Sequence, residues 1–394
     1  MSMATRNKIA IAGVAYSPTV KRSERGLGAL AIDACLGAIR DAGLKPEDID
    51  GISNYPNPSR IGAGDKDGVD FVGTKFIAEA LRLKNLSWFS SVTSGTMCVS
   101  LVEAANAVAA GTCTHALAWR GMANPPGQFG VYRATHAEGD TQFEAPYGLA
   151  NHVMRFAFAY SQYMARYGAT RKNMATYIVN CRRNAAINPN AAHFGKPITR
   201  EDYMGARMIG EPLSILDCDM PVDGCGAVVV TTAERARDLA QTPVYVAGVA
   251  SGGFKYNHSL VLDLDSYEES AALLARSLWK NSGLGPADMD FANVYDGFSL
   301  FVYIYLEAFG FCKKGEAHRF IQDGRIALEG ALPVNPSGGA MGMGRLHGTP
   351  QLLEGVLQLQ GRAGQRQLKK ARTTLVNSGG PATGCGAAVL TLDP

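Results

Sequence analysis

An eleven-residue string of this chain occurs twice with few changes. Pro221-Val-Asp-Gly-Cys-Gly-Ala-Val-Val-Val-Thr231 returns as Pro381-Ala-Thr-Gly-Cys-Gly-Ala-Ala-Val-Leu-Thr391, 160 positions later. Two further pairs recur in the same order. Gly43-Leu-Lys-Pro46-Glu-Asp48-Ile-Asp50 matches Gly283-Leu-Gly-Pro286-Ala-Asp288-Met-Asp290 at an offset of 240, and Ile11-Ala-Gly-Val-Ala15 matches Val246-Ala-Gly-Val-Ala250 at 235. The chain is therefore a duplicated half, and any fold it adopts must accommodate two like units. The offset falls from 240 to 160 along the repeat, so the first half carries about 80 extra residues between Gly111 and Pro221. Two like halves share a site at their interface, and the insertion is expected to lie across it.

Apolar runs and turn residues divide both halves alike. Lys8 to Ala15 reads as a buried strand, Leu27 to Gly43 as an amphipathic helix closed by glycine, and Ile49 to Ser53 as a strand. Ser94-Gly-Thr-Met-Cys98 opens a small-residue helix to Gly111, followed by the strand His115 to Trp119. The second half has strand Val244 to Ala250, helix Ser270 to Gly283, strand Phe291 to Tyr295, a Gly-rich turn Ser337 to Gly348, a helix to about Gln360 and strand Arg372 to Asn377. Both halves finish on the Gly-Cys-Gly strand. Alternating strands and helices imply a mostly parallel sheet covered on both faces, and two such halves give α/β/α/β/α layers. The expected division is an N-terminal half of residues 1–123 and 206–240, an inserted loop or lid domain of residues 124–205, and a C-terminal half of residues 241–394. The insertion holds two helical stretches, Asn151 to Tyr167 and Arg171 to Ile187. Arg171, Lys172, Arg182 and Arg183 on the second either face solvent or meet a ligand's phosphates.

A net charge of +3 with 19% charged residues and no basic run argues against a nucleic-acid partner. No apolar run approaches the roughly 20 residues that span a bilayer, and no apolar signal core follows Met1, so a cytoplasmic protein is expected. Eight cysteines include no CxxC pair and no Cys/His cluster, so neither metal site nor disulfide framework is expected.

The duplicated α/β plan, the insertion, and Asn335-Pro-Ser-Gly-Gly339 before a Gly-rich helix start resemble the thiolase superfamily over essentially the whole chain. Arg207-Met-Ile-Gly-Glu-Pro-Leu and Asp217-Cys-Asp-Met-Pro-Val-Asp223 are similar to its sterol-carrier-protein-X and lipid-transfer-protein branch, which handles bulky acyl-CoA substrates. The resemblance implies the five-layer thiolase fold, a homodimer, and a coenzyme A thioester as substrate with no covalently bound cofactor. It also marks what is missing. A thiolase uses a cysteine thiolate at the start of the first-half buried helix, where the helix dipole lowers its pKa. Ser94 holds that position here, and Cys98 lies one turn further in. Asn377, in Asn377-Ser-Gly-Gly380, replaces the second thiolase cysteine, and Gly344-Arg345-Leu346-His347 replaces the Gly-His-Pro motif. Tyr295 of Tyr295-Asp296-Gly297-Phe298 stands where thiolases have Asn or His. A tyrosine there resembles the thiolase-like aldolases that remove steroid side chains, and implies a separate OB-fold and zinc-ribbon partner forming a heterotetramer. That likeness also implies a second tyrosine near the Gly-Arg-Leu-His turn, where this sequence offers Arg345, His347 and Thr349.

Retro-aldol cleavage needs a base for the β-hydroxyl proton and a stabilised enolate, but no nucleophile. Tyr295 is the expected base. Competence near neutral pH asks for its pKa to fall by roughly 2 to 3 units from about 10, with Arg345 or His347 as activator or proton donor and Asp296 beside them. The turns holding Asn377, Gly379 and Gly380, and Gly339, either aim backbone N–H groups at the thioester oxygen or serve close packing. Ser94 donates a hydrogen bond near the acyl group or caps its helix. Tyr147 follows Pro146 in the insertion, where the resemblance to thiolases implies a residue over the acyl group. The expected activity is a carbon–carbon lyase that splits a β-hydroxyacyl-CoA, a steroid side-chain thioester by resemblance, into a ketone or aldehyde and a short acyl-CoA such as propionyl-CoA. A thiolase-like C-acyltransferase and a non-catalytic acyl-CoA or lipid-binding protein are the other readings. A homodimer is expected on a second ground, because the strand running from Gly111 to Arg120 would otherwise leave an apolar sheet edge.

Overall fold

The computed structural model describes residues 7–55, 72–92, 96–123, 142–143, 145–147, 149, 152–252 and 263–394. The first half runs β1 (Ile9–Tyr16), α1 (Leu27–Asp41), β2 (Gly51–Asn54), α2 (Thr74–Ala80), β3 (Trp88–Ser91), α3 (Thr96–Ala109) and β4 (Ala116–Met122). The insertion supplies α4 (His152–Tyr167), α5 (Arg171–Ala186), α6 (Arg200–Met204) and the ribbon β5 (Met208–Gly210) and β6 (Leu213–Ser214). Strand β7 (Gly224–Thr232) and a short α7 (Ala233–Ala236) close the half. The second half runs β8 (Val244–Gly252), α8 (Leu264–Ser282), β9 (Phe291–Asn293), α9 (Ser299–Ala308), α10 (Ala317–Phe320), α11 (Gly339–Met343), α12 (Thr349–Leu359), β10 (Thr373–Ser378) and β11 (Cys385–Thr391).

Nine strands pair in the order β3-β2-β4-β7-β1-β8-β11-β10-β9. Apart from β3, the order is a palindrome of the repeat, with β2-β4-β7-β1 facing β8-β11-β10-β9. The duplication extends to register. Ala15 pairs with Ala227 and Ala250 with Ala387, and both pairings skip one residue at the same place, between Ile11 and Gly13 and between Val246 and Gly248. Helices force glycine at both bulges: a Cβ on Gly13 would stand 2.4 Å from the Ala38 carbonyl oxygen, and one on Gly248 2.6 Å from the Ser282 amide. Among the described residues two register pairs, Ala10 with Tyr245 and Ile11 with Val244, join the halves along the sheet, and the Asn7 amide donates to the Val246 carbonyl beside them.

The sheet is not mostly parallel, as the alternation of strands and helices suggests. Only β2–β3, β2–β4 and β9–β10 are parallel; the other five pairings are antiparallel. The closing strand of each half causes this. Residues 379–384, which join β10 to β11, are too few for the crossover that a parallel neighbour requires.

Three apolar layers separate the helices as expected. Helices α1 and α2 cover one face of the first half, α3 and α12 fill the centre, and α4, α5, α8 and α9 pack on the second half. Helix α9 is apolar all round, which suits its burial and hides it from any search for an amphipathic stripe. The expected exposed edge is placed differently. Strand β4 is interior, paired to β2 and β7, and the first-half edge is β3, where Phe89 is 69% exposed. Helix α5 is no free-standing cover either. Asn184 donates to the Asn335 carbonyl, Asn188 to that of Ser337, and Arg183 pairs with Glu329, all in the second half. Arg171 and Arg182 donate to the backbone at Tyr203 and Lys196. No helix among the described residues is long and apolar enough to cross a membrane.

Candidate active site

Tyr295 follows β9, and Asn377 on β10 accepts a hydrogen bond from its amide at 2.9 Å. Its ring stacks on Phe301 with centroids 6.2 Å apart and is 7% exposed. The hydroxyl curls back over Gly297, where a Cβ would meet it at 2.6 Å, so this tyrosine requires that glycine. Burial raises the phenol's pKa well above 10; Asp219 adds to this, Arg345 opposes it, and Asp296 and Tyr55 raise it further. The direction is opposite to the one a tyrosine base needs. Arg345 acts in the expected sense, but desolvation outweighs it, and Tyr295 is held as a phenol that can give a proton.

Asp296 is surrounded by donors. The Tyr177 hydroxyl reaches it at 2.8 Å, the Ala340 amide at 2.7 Å, the Met341 amide at 3.3 Å and Gln351 Nε2 at 2.7 Å. A carboxylate at the start of α11 accepts what helix beginnings offer. Burial still pushes its pKa up to about 6, against those hydrogen bonds. Gly339 packs directly on it; a Cβ there would stand 2.2 Å from Oδ2. Gly379 and Gly380 form the β10–β11 turn, and the Gly379 carbonyl accepts from the Tyr305 hydroxyl at 2.5 Å.

On the opposite side, β4 carries Arg120 two residues before its end, fully buried. Its guanidinium donates to the Tyr55 carbonyl at 2.6 Å, lies 4.6 Å from the Tyr55 ring centroid, and reaches His347 Nδ1 at 3.0 Å. Arginine has no acceptor, so Nδ1 accepts and the imidazole carries its proton on Nε2. The His347 carbonyl accepts from the Met97 amide at 3.1 Å, which ties the Gly-Arg-Leu-His turn to the start of α3. Burial lowers Arg120 to about 10, with Tyr55 countering and Arg345 adding to the drop.

The segment from Asp217 to Asp223 threads between these walls. The Asp219 amide donates to the Gly297 carbonyl, the Arg345 amide donates to the Met220 carbonyl, and Pro221 bridges Arg345. Asp219 Oδ1 lies 3.8 Å from Arg345 Nε and lines a cavity of about 530 Å³. That volume is typical of small-molecule sites. Val153, Ile178, Ile209 and Leu216 make the cavity apolar, Arg182 and Arg207 give it cationic groups, and His193, whose pKa burial lowers to about 4, lines it as a neutral imidazole.

The start of α3 carries no thiolate. Ser378 Oγ accepts from the Cys98 amide at 2.9 Å, and burial pushes the Cys98 thiol up to about 12. Ser94 lies outside the described residues. Tyr147 is not brought to the cluster; it ends a single turn, Ala145–Tyr147, and is 83% exposed. Among the described residues no group of three or more His, Cys, Asp or Glu is arranged to hold a metal ion.

An apolar cavity lined by Asp219, with Tyr295 and Arg345 close to that carboxylate though not in the lining, can move protons on a bulky substrate. Comparison with known proteins gives this chemistry a family. The family described as thiolase C-terminal domain-like matches residues 255–392. A 17-hydroxy-3-oxo-4-pregnene-20-carboxyl-CoA lyase of Mycobacterium tuberculosis is 38% identical over 89% of this chain and 91% of its own. The chain belongs to the thiolase superfamily. Within the superfamily, a steroid side-chain-cleaving aldolase of Thermomonospora curvata is 34% identical over 89% of this chain and 90% of its own. The solved Ltp2-ChsH2(DUF35) aldolase superposes with a TM-score of 0.86 at 32% identity, covering 98% of each chain.

Three residues of this thiolase-superfamily site carry no role in the sequence reading. Arg120 is signalled by a lone charge closing the apolar run Ala116-Leu-Ala-Trp119, and Asp219 by three aspartates in seven residues. Tyr55 follows β2 and has no comparable signal.

Proposed function

We propose that this chain is an acyl-CoA carbon–carbon lyase, a thiolase-fold aldolase that cleaves the side chain of a steroid β-hydroxyacyl-CoA. One observation carries the reading. Buried Tyr295 stands among Asp219, Arg345 and Asp296, whereas the thiol at the start of α3 is a buried, protonated core group. Such a site can shuttle protons but offers no acyl-carrying thiolate. For a 17-hydroxy-20-carboxyl-CoA, the hydroxyl-bearing carbon is β to the thioester. Breaking its bond to the α-carbon leaves a 17-ketone and a three-carbon fragment, propionyl-CoA. The 530 Å³ cavity supplies apolar walls, with Arg182 and Arg207 for anionic groups of the substrate.

The relative named as an Ltp2-ChsH2(DUF35) complex supports a heteromeric assembly here too, with a small OB-fold and zinc-ribbon protein. The open β3 edge with exposed Phe89 supports a homodimeric core. Incubating the chain, alone and with such a partner, with 17-hydroxy-3-oxo-4-pregnene-20-carboxyl-CoA tests the activity. Stoichiometric 17-ketosteroid and propionyl-CoA are expected; absence of both under both conditions refutes it. Light scattering of the chain alone should give about twice 41.8 kDa.

A further inference from the structure

Three aspartates lie within seven residues, and the structure treats them differently. Asp217 accepts from Tyr203, from Ser299 and twice from Ser214, and Asp223 accepts from the Ser23 amide. Asp219, 2% exposed, has no hydrogen-bond donor on either carboxylate oxygen among the described residues. Its backbone is nonetheless fixed on both sides, to the loop after Tyr295 and to the turn bearing Arg345. A buried carboxylate held rigidly without donors, in the wall of a cavity, lacks the ordinary structural explanation.

We propose that Asp219 is the general base of the cleavage and that Tyr295 is its acid, which rests on the aldolase reading above. The Asp219 carboxylate takes the proton of the β-hydroxyl. The oxygen's electrons form the new C=O, the Cα–Cβ bond breaks, and its electron pair becomes the thioester enolate. The Tyr295 hydroxyl protonates the α-carbon, and the proton on Asp219 then returns to the phenolate, so one proton is taken, one is given, and both groups are reset. The environments agree with this division of labour. Burial pushes the Asp219 carboxyl up to about 7, with Arg345 opposing and Asp296 assisting, while the phenol is pushed further still. Burial thus raises both, leaving the carboxyl as the group that ionises near neutral pH and the phenol as the one that keeps its proton. The ionisable groups facing Asp219 are Arg345, Asp296 and Tyr295, its neighbour Cys218, and Arg182, His193 and Arg207 around the cavity. Arg345 pairs with the charged base, so it is a positioning residue.

The test is a set of pH profiles for ketone release, measured with the partner present where turnover requires it. Wild-type kcat/KM should fall about tenfold per pH unit below a midpoint near 7. Asp219→Asn should lose about 10²- to 10⁴-fold in kcat with little change in KM, and its residual activity should lack that acid limb. Tyr295→Phe should lose a similar factor yet keep the limb, a separation that a merely structural Asp219 would not produce. Asp219→Asn within fivefold of wild type, or retaining the limb, overturns the proposal. Should the Asn variant not fold, Asp219→Glu, which keeps a carboxylate, must show the limb, and a flat wild-type profile from pH 5.5 to 8.5 overturns the assignment by itself. A wild type that cleaves no β-hydroxyacyl-CoA at any pH refutes the aldolase reading instead, and takes this assignment with it.

Discussion

The wall of the site built by the 335–344 turn and the wall built by the 217–223 segment each bury an aspartate close to Tyr295, on opposite terms. Asp296 receives donors from a tyrosine, a glutamine and two amides, whereas Asp219 has one distant arginine at 3.8 Å. The first arrangement locks α11, α5 and the β9 loop together. The second leaves a carboxylate desolvated, with Arg345 as counter-charge but no hydrogen-bond donor among the described residues. Burial raises both pKa values, to about 6 and about 7, so the shift alone does not separate scaffold from chemistry; the donor inventory does.

The largest expected effect lies between the two walls. Tyr295→Phe keeps the ring on Phe301 but deletes the hydroxyl, and kcat should fall by about 10² to 10⁴ with the fold intact by circular dichroism. Next comes the scaffold wall. Asp296→Ala strands the Tyr177, Ala340, Met341 and Gln351 donors and should cost about 3 to 5 kcal/mol in urea unfolding. Asp219→Asn should do the reverse at pH 8 and stabilise the protein by on the order of 1 to 3 kcal/mol. Its folded pKa near 7 lies above the ordinary 3.8, so the folded state holds this proton more tightly. Its contribution to stability is therefore greatest below about pH 4 and is lost as pH rises to about 7. The gap between variant and wild type should close on acidification; a gap that widens would place Asp219 with Asp296. The smallest effect belongs to Cys98→Ala, about 1 kcal/mol from a small cavity, with turnover unchanged. Iodoacetamide at pH 8 should likewise leave turnover untouched, since the buried thiol is pushed up to about 12.

Much of this comparison was legible in the residue order. The repeat predicted two like halves, and it reaches the pairing of Ala15 with Ala227 and of Ala250 with Ala387. Strand direction was not legible from alternation, because the second half's closing strand follows a connection, residues 379–384, too short for a crossover, and the first half's closing strand is antiparallel as well. Tyr295 was placed by its neighbours in sequence. The direction of its pKa was not, since that depends on desolvation by α9 and on Asp219, 76 positions away in sequence. Arg120 and His347 meet across 227 positions, and no local pattern reports such an encounter.

The seam between the halves has a consequence for the chain's history. Tyr295, Arg345 and His347 come from one copy, while Asp219, Arg120 and Tyr55 come from the other, and among the described residues a short antiparallel contact between β1 and β8 holds the copies side by side in the sheet. Each copy could drift freely in whatever it does not share. If Asp219 and Tyr295 divide the proton transfer as proposed, losing or shortening either copy would take one member of the pair away from the other, so the chemistry itself holds both copies in the protein.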